Sequence, residues 1–152
     1  MTTHYIADKS VVDILLVEDN PDDEELTLLT LEENNIANHI KVVRDGAEAL
    51  AYIFGTGEYT DRDVTERPRL ILLDLKLPKV NGIEVLERIK QDDDVCTIPV
   101  VVLTSSREEP DVARCYKLGA NSYIVKPVDF DQFKKAIQQI GLYWQNLNEP
   151  PV

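Results

Sequence analysis

The sequence has few cysteines, no basic cluster and no long apolar run. Its 2 cysteines, Cys96 and Cys115, form no CxxC pattern and no ligand set with histidine, so neither a disulfide framework nor a zinc site is indicated. Acidic residues number 28 against 16 basic ones, and the net charge of −12 argues against binding to nucleic acid or anionic membranes, which clustered lysine and arginine recognise. No apolar run approaches the length of a membrane span, and residues 1–10 lack the apolar core of a secretory signal. These absences predict a cytoplasmic protein, and 152 residues suit one domain with a full core.

Short apolar runs alternate with amphipathic segments along the chain. Strands are predicted at 11–20, 39–45, 69–75, 98–106 and 122–127. Helices are predicted at 21–35, 45–54, 81–91, 110–120 and 129–144. The strands are apolar on both faces, which is typical of a parallel sheet covered by helices on both sides. The predicted fold class is therefore α/β, with a doubly wound, five-stranded parallel sheet.

Polar side chains stand where four of the predicted strands end. They are Glu18 and Asp19 after the first strand, Asp74 after the third, Thr104 after the fourth and Lys126 after the fifth. Ligands bind beyond the carboxyl ends of the strands in an open parallel sheet, so these residues are expected to share one edge. Three clustered carboxylates repel one another unless a hard cation joins them. Glu18, Asp19 and Asp74 therefore predict a magnesium site.

The same edge offers the groups that phosphoryl transfer needs. Aspartate is a known covalent acceptor of phosphoryl groups, and the transition state needs cations and donors around its oxygens. Asp74 is central in the set and is the best candidate for the nucleophile, while Lys126 and Thr104 could each bind a phosphoryl oxygen. Taken singly, each residue has an ordinary interpretation, such as a helix-start acid, a solvated lysine or a strand-end threonine. Their combination at successive strand ends favours the site.

Four segments in order carry a resemblance to a known family: LLVEDN, LLDLKLPKVNG, VVVLTSS and YIVKP. Over residues 11–146 the chain resembles the receiver domain of bacterial two-component response regulators, which implies a (βα)5 flavodoxin-like fold. Residues 1–10 are then an N-terminal extension and residues 147–152 a C-terminal tail. The long connection at 55–68 and the lack of an output domain resemble the small single-domain regulators encoded with cyanobacterial and bacterial phytochromes.

The resemblance implies that Asp74 is phosphorylated by a phosphohistidine on a sensor histidine kinase of the phytochrome type. It implies that Asp19 and Asp74 bind Mg²⁺ together with Glu18 and the backbone carbonyl of Lys76, and Mn²⁺ or Ca²⁺ could replace Mg²⁺. Glu18 stands where aspartate is commoner in the family, so its longer side chain could reach the metal through a water.

The resemblance also assigns roles at the ends of the fourth and fifth strands. Thr104 and Lys126 bind the phosphoryl group, Ser105 is small enough to admit it, and Tyr123 is the aromatic residue that turns inward when Thr104 moves. The Lys126–Pro127 peptide bond is expected to be cis, an isomer that X–Pro bonds adopt most readily.

The predicted function is a phosphorylation-controlled switch with only weak self-phosphorylation and self-dephosphorylation chemistry, not an enzyme. The switched face would comprise the fourth helix, fifth strand and fifth helix, and its output would be partner binding, dimerisation or transfer to a histidine phosphotransfer protein. A phosphatase of the haloacid dehalogenase type needs a second aspartate where Lys76 stands. A flavin carrier needs an uncharged phosphate loop where EDNPDDEE stands, and a scaffold-only receiver would not need the intact site.

Two segments have open interpretations. The connection at 55–68 is either a tolerated surface insertion or a loop that contacts a partner. Leu142, Tyr143 and Leu147 predict a homodimer contact through the last helix, with a tail packed on its own domain as the alternative.

Overall fold

The fold is a five-stranded parallel sheet with helices on both faces. The computed structural model describes residues 12–34, 39–105 and 109–140. The strands are β1 (Ile14–Val17), β2 (Ile40–Val43), β3 (Leu70–Asp74), β4 (Val100–Thr104) and β5 (Ser122–Val125). The helices are α1 (Pro21–Glu33), α2 (Gly46–Phe54), α3 (Gly82–Gln91), α4 (Glu109–Leu118) and α5 (Phe130–Ile140), with a 3-10 turn at Gly57–Tyr59. All strand pairs are parallel in the order β2-β1-β3-β4-β5, so the predicted α/β class and the doubly wound sheet are confirmed.

The sheet is apolar on both faces because successive strand residues point to opposite sides. One face carries Ile14, Leu16, Leu70, Leu72, Val101 and Leu103, and it packs against α1 and α5. The other carries Leu15, Val17, Ile71, Leu73, Val100 and Val102, and it packs against α2, α3 and α4. Cys115 of α4 is fully buried in this second layer, as expected of a small apolar filler. Among the described helices, none has the length and apolar character needed to span a membrane.

The parallel register brings the strand ends to one level. Val17 pairs with Leu73, Asp74 with Leu103, and Thr104 with Val125. The strands are shorter than the sequence predicted; Asp74 and Thr104 are the last residues of β3 and β4, whereas Glu18 and Lys126 directly follow β1 and β5. This edge of the sheet is the one at which the sequence placed the candidate site.

Side-chain caps fix where the helices near this edge begin. Asn20 Oδ1 accepts hydrogen bonds from the backbone N–H groups of Asp22 and Asp23 at 2.9 and 3.1 Å, which starts α1. Asp45 caps α2 by accepting from the N–H of Glu48 at 2.7 Å. The caps therefore fix where the connections after β1 and β2 end, and α1 starts directly beside the sheet edge.

The connection at 55–68 packs on its own domain. The Tyr59 hydroxyl donates to Glu48 Oε2 at 2.7 Å, and Arg62 Nε donates to the carbonyl of Tyr52 at 2.8 Å. The Arg62 guanidinium also lies 4.2 Å from the centre of the Tyr52 ring, and the rings of Tyr52 and Tyr59 meet edge-to-face at 5.1 Å. These contacts hold the connection against α2, and its contact with a partner stays a prediction.

The last helix, α5, packs apolar side chains against the sheet. Phe133 is fully buried and Phe130 is half-buried against the same layer. The predicted dimer contact, which comprises Leu142, Tyr143 and Leu147, lies outside the described residues.

Candidate functional site

Three carboxylates meet at the carboxyl ends of β1 and β3. One oxygen from each of Glu18, Asp19 and Asp74 lies within 4.8 Å of the others. Glu18 is fully buried and Asp74 is 4% exposed, whereas Asp19 faces solvent. The adjacency follows from the register, since β1 and β3 are neighbours and both end at this edge. The predicted proximity of these three residues is therefore present in the fold.

The ammonium of Lys126 lies among carboxylates. Lys126 Nζ is 2.8 Å from Glu18 Oε1, 3.2 Å from Asp74 Oδ2 and 2.9 Å from Asp23 Oδ2. Its side chain is 12% exposed, so these contacts are shielded from most of the solvent. Lys126 follows β5, two strands away from β3, and its long side chain bridges that distance to the acceptor candidate.

The pKa values of Glu18 and Lys126 are both raised, but for different reasons. Burial raises the pKa of the Glu18 carboxyl to about 7, with a further rise from Asp74 and partial opposition from Lys126. Burial alone would lower the pKa of Lys126, but its contacts with Glu18, Asp23 and Asp74 outweigh that effect and raise it. Lys126 therefore stays charged at neutral pH, and the carboxylates are held together by it.

The turn behind Asp74 is tightly folded. The backbone N–H of Lys76 donates to Asp74 Oδ1 at 3.3 Å, and the N–H of Gly82 donates to the carbonyl of Leu75 at 2.8 Å. A side chain at position 82 would collide with the carbonyl of Asp74, so α3 can start this close only because the residue is glycine. Lys79 adopts a positive φ of 68° within the same turn. The acceptor candidate is thus fixed by its own strand and by the turn that follows it.

Thr104, Ser105 and Tyr123 line the neighbouring strand ends. Thr104 is fully buried, and its carbonyl accepts from the N–H of Lys126 at 2.8 Å. Ser105 is exposed directly after it, and Tyr123 is half-buried on β5 against the layer that contains α4. The Lys126–Pro127 bond is cis, as the resemblance implied. The functional roles of Thr104, Ser105, Tyr123 and the Lys76 carbonyl stay predictions.

Asp23 is the site residue that sequence reasoning missed. In the sequence it was one of several acids in the first helical turn, but in the fold it is a direct partner of Lys126. The Asn20 cap starts α1 beside the sheet edge, but the sequence does not show which acid of the first turn faces that edge.

The similarity to known proteins agrees with this geometry. The response regulator receiver domain family matches residues 14–138. This chain belongs to the response regulator receiver family. Rcp1, a response regulator of Synechocystis sp., is 44% identical over 131 residues, which is 86% of this chain and 87% of Rcp1.

Solved structures of receivers are similar over nearly the whole chain. The bacteriophytochrome response regulator AtBRR is 56% identical over 91% of this chain and 99% of its own, with a TM-score of 0.82. The Mn²⁺-bound form of Rcp1 has a TM-score of 0.72 at 42% identity, over 91% and 98% of the two chains. The phosphorylated cyanobacterial phytochrome regulator RcpA has a TM-score of 0.70 at 39% identity, over 93% and 99%. This receiver is therefore related to phytochrome response regulators.

The carboxylate cluster of this receiver fits a hard divalent cation. Carboxylate oxygens are the protein ligands that such cations prefer, and three converge here. Glu18 Oε1 is wholly buried, and the polar partner that the described residues give it is the ammonium of Lys126. One ammonium shared among several carboxylates leaves an excess of negative charge, which a cation would neutralise.

Proposed function

We propose that this receiver is a phosphoacceptor switch in which Asp74 takes a phosphoryl group from a histidine kinase in a Mg²⁺-dependent reaction. The observation that carries the proposal is the position of Lys126 Nζ, 3.2 Å from Oδ2 of the nearly buried Asp74 and adjacent to the acidic cluster. A buried carboxylate with an ammonium beside it can attack phosphorus while the ammonium stabilises the charge on the transferred oxygens.

Each residue of the cluster has one task in this scheme. Glu18, Asp19 and Asp74 would hold the metal ion, which lowers the repulsion between the acceptor and the phosphoryl oxygens. An oxygen of Asp74 attacks phosphorus, the bond to the donor histidine nitrogen breaks, and that nitrogen keeps the electron pair and takes up a proton. Lys126 and Thr104 then bind oxygens of the new acyl phosphate. The pKa shift of Lys126 toward higher values keeps it cationic throughout.

The partner in the proposal is a sensor histidine kinase of the phytochrome type. Its support is the 56% identity with the bacteriophytochrome regulator AtBRR and the 39% identity with RcpA. The proposal also includes a cytoplasmic location, homodimerisation, and output through α4, β5 and α5 without catalytic turnover on a separate substrate. Supporting observations for that face are the half-buried Tyr123 on β5 and its proximity in sequence to Lys126.

Intact mass spectrometry after incubation with acetyl phosphate tests the acceptor chemistry. We expect one added phosphoryl group on the wild-type chain, dependent on Mg²⁺ and absent in Asp74→Asn. Asp131→Asn removes an exposed carboxylate from the first turn of α5 and should label like the wild type. Labelling of Asp74→Asn at the wild-type level would overturn the assignment. An absent adduct is followed by transfer from a phosphorylated phytochrome kinase, and failure there as well would also overturn it.

A further inference from the structure

The contact between Asp23 and Lys126 gives α1 a direct link to the acceptor site. We propose that Asp23 is a positioning residue that restrains phosphorylation by competing with the incoming phosphoryl group for the ammonium of Lys126. The inference deepens the proposed function and rests on it. Asp23 itself would touch neither the phosphoryl group nor the metal ion.

The position of Asp23 is fixed by the start of α1. Asn20 Oδ1 accepts from the N–H of Asp23 at 3.1 Å, and Asn20 directly follows the acidic pair Glu18 and Asp19. The side chain then reaches Lys126 Nζ at 2.9 Å, which is as short as a charge-assisted hydrogen bond should be. The cap therefore fixes the backbone position from which the Asp23 side chain reaches Lys126.

The contacts of Lys126 explain why Asp23 is the competitor. Its ammonium donates hydrogen bonds to Asp23 Oδ2 at 2.9 Å and to Asp74 Oδ2 at 3.2 Å, and it forms an ion pair with Glu18 Oε1 at 2.8 Å. Glu18 is fully buried, so releasing its contact would leave an unpaired charge inside the protein. Asp74 loses its negative charge when it becomes an acyl phosphate. The Asp23 side chain is 33% exposed, and water can replace its contact.

The negative charge of Asp23 should also weaken binding of a phosphoryl group at Lys126. A divalent cation and Lys126 together balance the charges of Glu18, Asp19 and Asp74. Asp23 adds a further negative charge beside the ammonium, facing the place where an anionic phosphoryl group would bind. It therefore weakens the attraction of Lys126 for that group, although solvent exposure of Asp23 limits the size of the effect.

Loss of this contact should leave the fold intact. The hydroxyl of Thr30, in the last turn of α1, donates to the carbonyl of Val128 at 3.3 Å. This second connection joins α1 to the segment between β5 and α5 independently of Lys126. Variants of Asp23 can thus be compared as folded proteins, with thermal unfolding as the check.

The experiment measures binding of beryllofluoride, a phosphoryl analogue, at saturating Mg²⁺ by calorimetry, and the rate of labelling by acetyl phosphate. We expect Asp23→Asn to bind beryllofluoride about two- to fivefold more tightly and to label faster by a similar factor, the upper part of the range for one partly screened charge contact. Asp23→Glu restores the carboxylate and should return both values toward wild type. Asp22→Asn makes the same charge change at an exposed neighbouring position and should stay within about twofold of wild type.

Four outcomes decide the inference. Tighter binding and faster labelling in Asp23→Asn alone support it. Unchanged values in Asp23→Asn, or weaker binding, would overturn it and leave the acceptor role of Asp74 standing. An equal gain in Asp22→Asn would reduce the effect to general electrostatics and would also overturn it. A folded wild-type protein that binds no beryllofluoride and takes no label, even from a kinase, would instead remove the proposed function and this inference with it.

Discussion

Lys126 and Lys90 are both partly buried lysines, but the groups around them differ in charge. Lys126 lies among the carboxylates of Glu18, Asp23 and Asp74, whereas Lys90 Nζ donates to the backbone carbonyls of Cys96 and Ile98, each at 2.9 Å. The pKa of Lys126 is raised by its anionic neighbours, and that of Lys90 is lowered by burial. Burial of a lysine therefore does not mark a functional site by itself. The charge of the groups around it does.

The two lysines also serve different parts of the fold. Lys90 is at the end of α3 and ties down the connection to β4, which satisfies carbonyls that would otherwise lack donors. Lys126 joins α1, β1 and β3 at the candidate site. Substituting each lysine in turn distinguishes a role in phosphorylation from a role in the stability of the fold.

The largest difference is expected in phosphorylation. Lys126→Ala should reduce the rate of labelling by acetyl phosphate at least about 100-fold, since loss of one group that stabilises a transition state typically costs that much. Lys90→Ala should label within about threefold of wild type, because Lys90 lies away from the acidic cluster. Intact mass spectrometry over time gives both rates. Similar losses in the two variants would mean that Lys126 acts only through stability.

The second difference concerns stability without metal. Lys126→Ala leaves Glu18 and Asp74 without their shared ammonium, and breaking a buried ion pair from one side costs about 3 kcal/mol in the free energy of unfolding. Mg²⁺ should recover much of this loss, because it replaces the missing positive charge. Urea unfolding at pH 8 with and without Mg²⁺ measures the recovery. If Mg²⁺ stabilised the variant less than it stabilises wild type, the metal and Lys126 would not act on the same carboxylates.

Lys90→Met should be less stable than wild type by about 2 kcal/mol, since the apolar part of the side chain is kept but two carbonyls lose their donor. Mg²⁺ should stabilise this variant by the same amount as wild type. The same urea series provides the measurement, and a response to Mg²⁺ that differed from wild type would contradict the structural role assigned to Lys90.

The smallest expected effect is the change in Mg²⁺ affinity with pH. The pKa of Glu18 is raised to about 7 in the fold, so the metal-free folded state holds this proton more tightly than the unfolded state does. The resulting stability is fully present below the ordinary pKa of 4.5 and is lost as the pH rises through about 7. Mg²⁺ must displace that proton, so it should bind about tenfold more tightly at pH 8 than at pH 6.

Glu18→Gln is the control for this pH effect, because it cannot ionise. Calorimetric titration with Mg²⁺ should show a much weaker dependence on pH in this variant. An equally steep dependence would assign the proton to another group.

The sequence was sufficient to predict the composition of the site but not all of its contacts. Glu18, Asp19 and Asp74 follow two strands that any parallel sheet of this order places side by side, so their proximity could be predicted from strand ends alone. The sequence of α1 is acidic and its apolar residues form only a weak pattern, so it does not predict which side of the helix faces the sheet edge. The contact of Asp23 with Lys126 therefore became visible only in the fold.

The connection at 55–68 illustrates the same limit. Its polar composition predicted a connection on the surface, but the pairing of Arg62 with Tyr52 and of Tyr59 with Glu48 joins residues about ten positions apart across a turn. Such contacts depend on side-chain geometry that periodicity does not encode. The strand and helix patterns, in contrast, repeat over many residues, so the type and order of the elements could be predicted, although the strands are shorter than predicted.

The most direct test is to locate the phosphoryl group on the chain. The protein is phosphorylated with Mg²⁺ present, the acyl phosphate is reduced with borohydride to homoserine, and the modified position is read by peptide mass spectrometry. The account predicts conversion of Asp74 alone. Conversion of another carboxylate while Asp74 stays intact would contradict it.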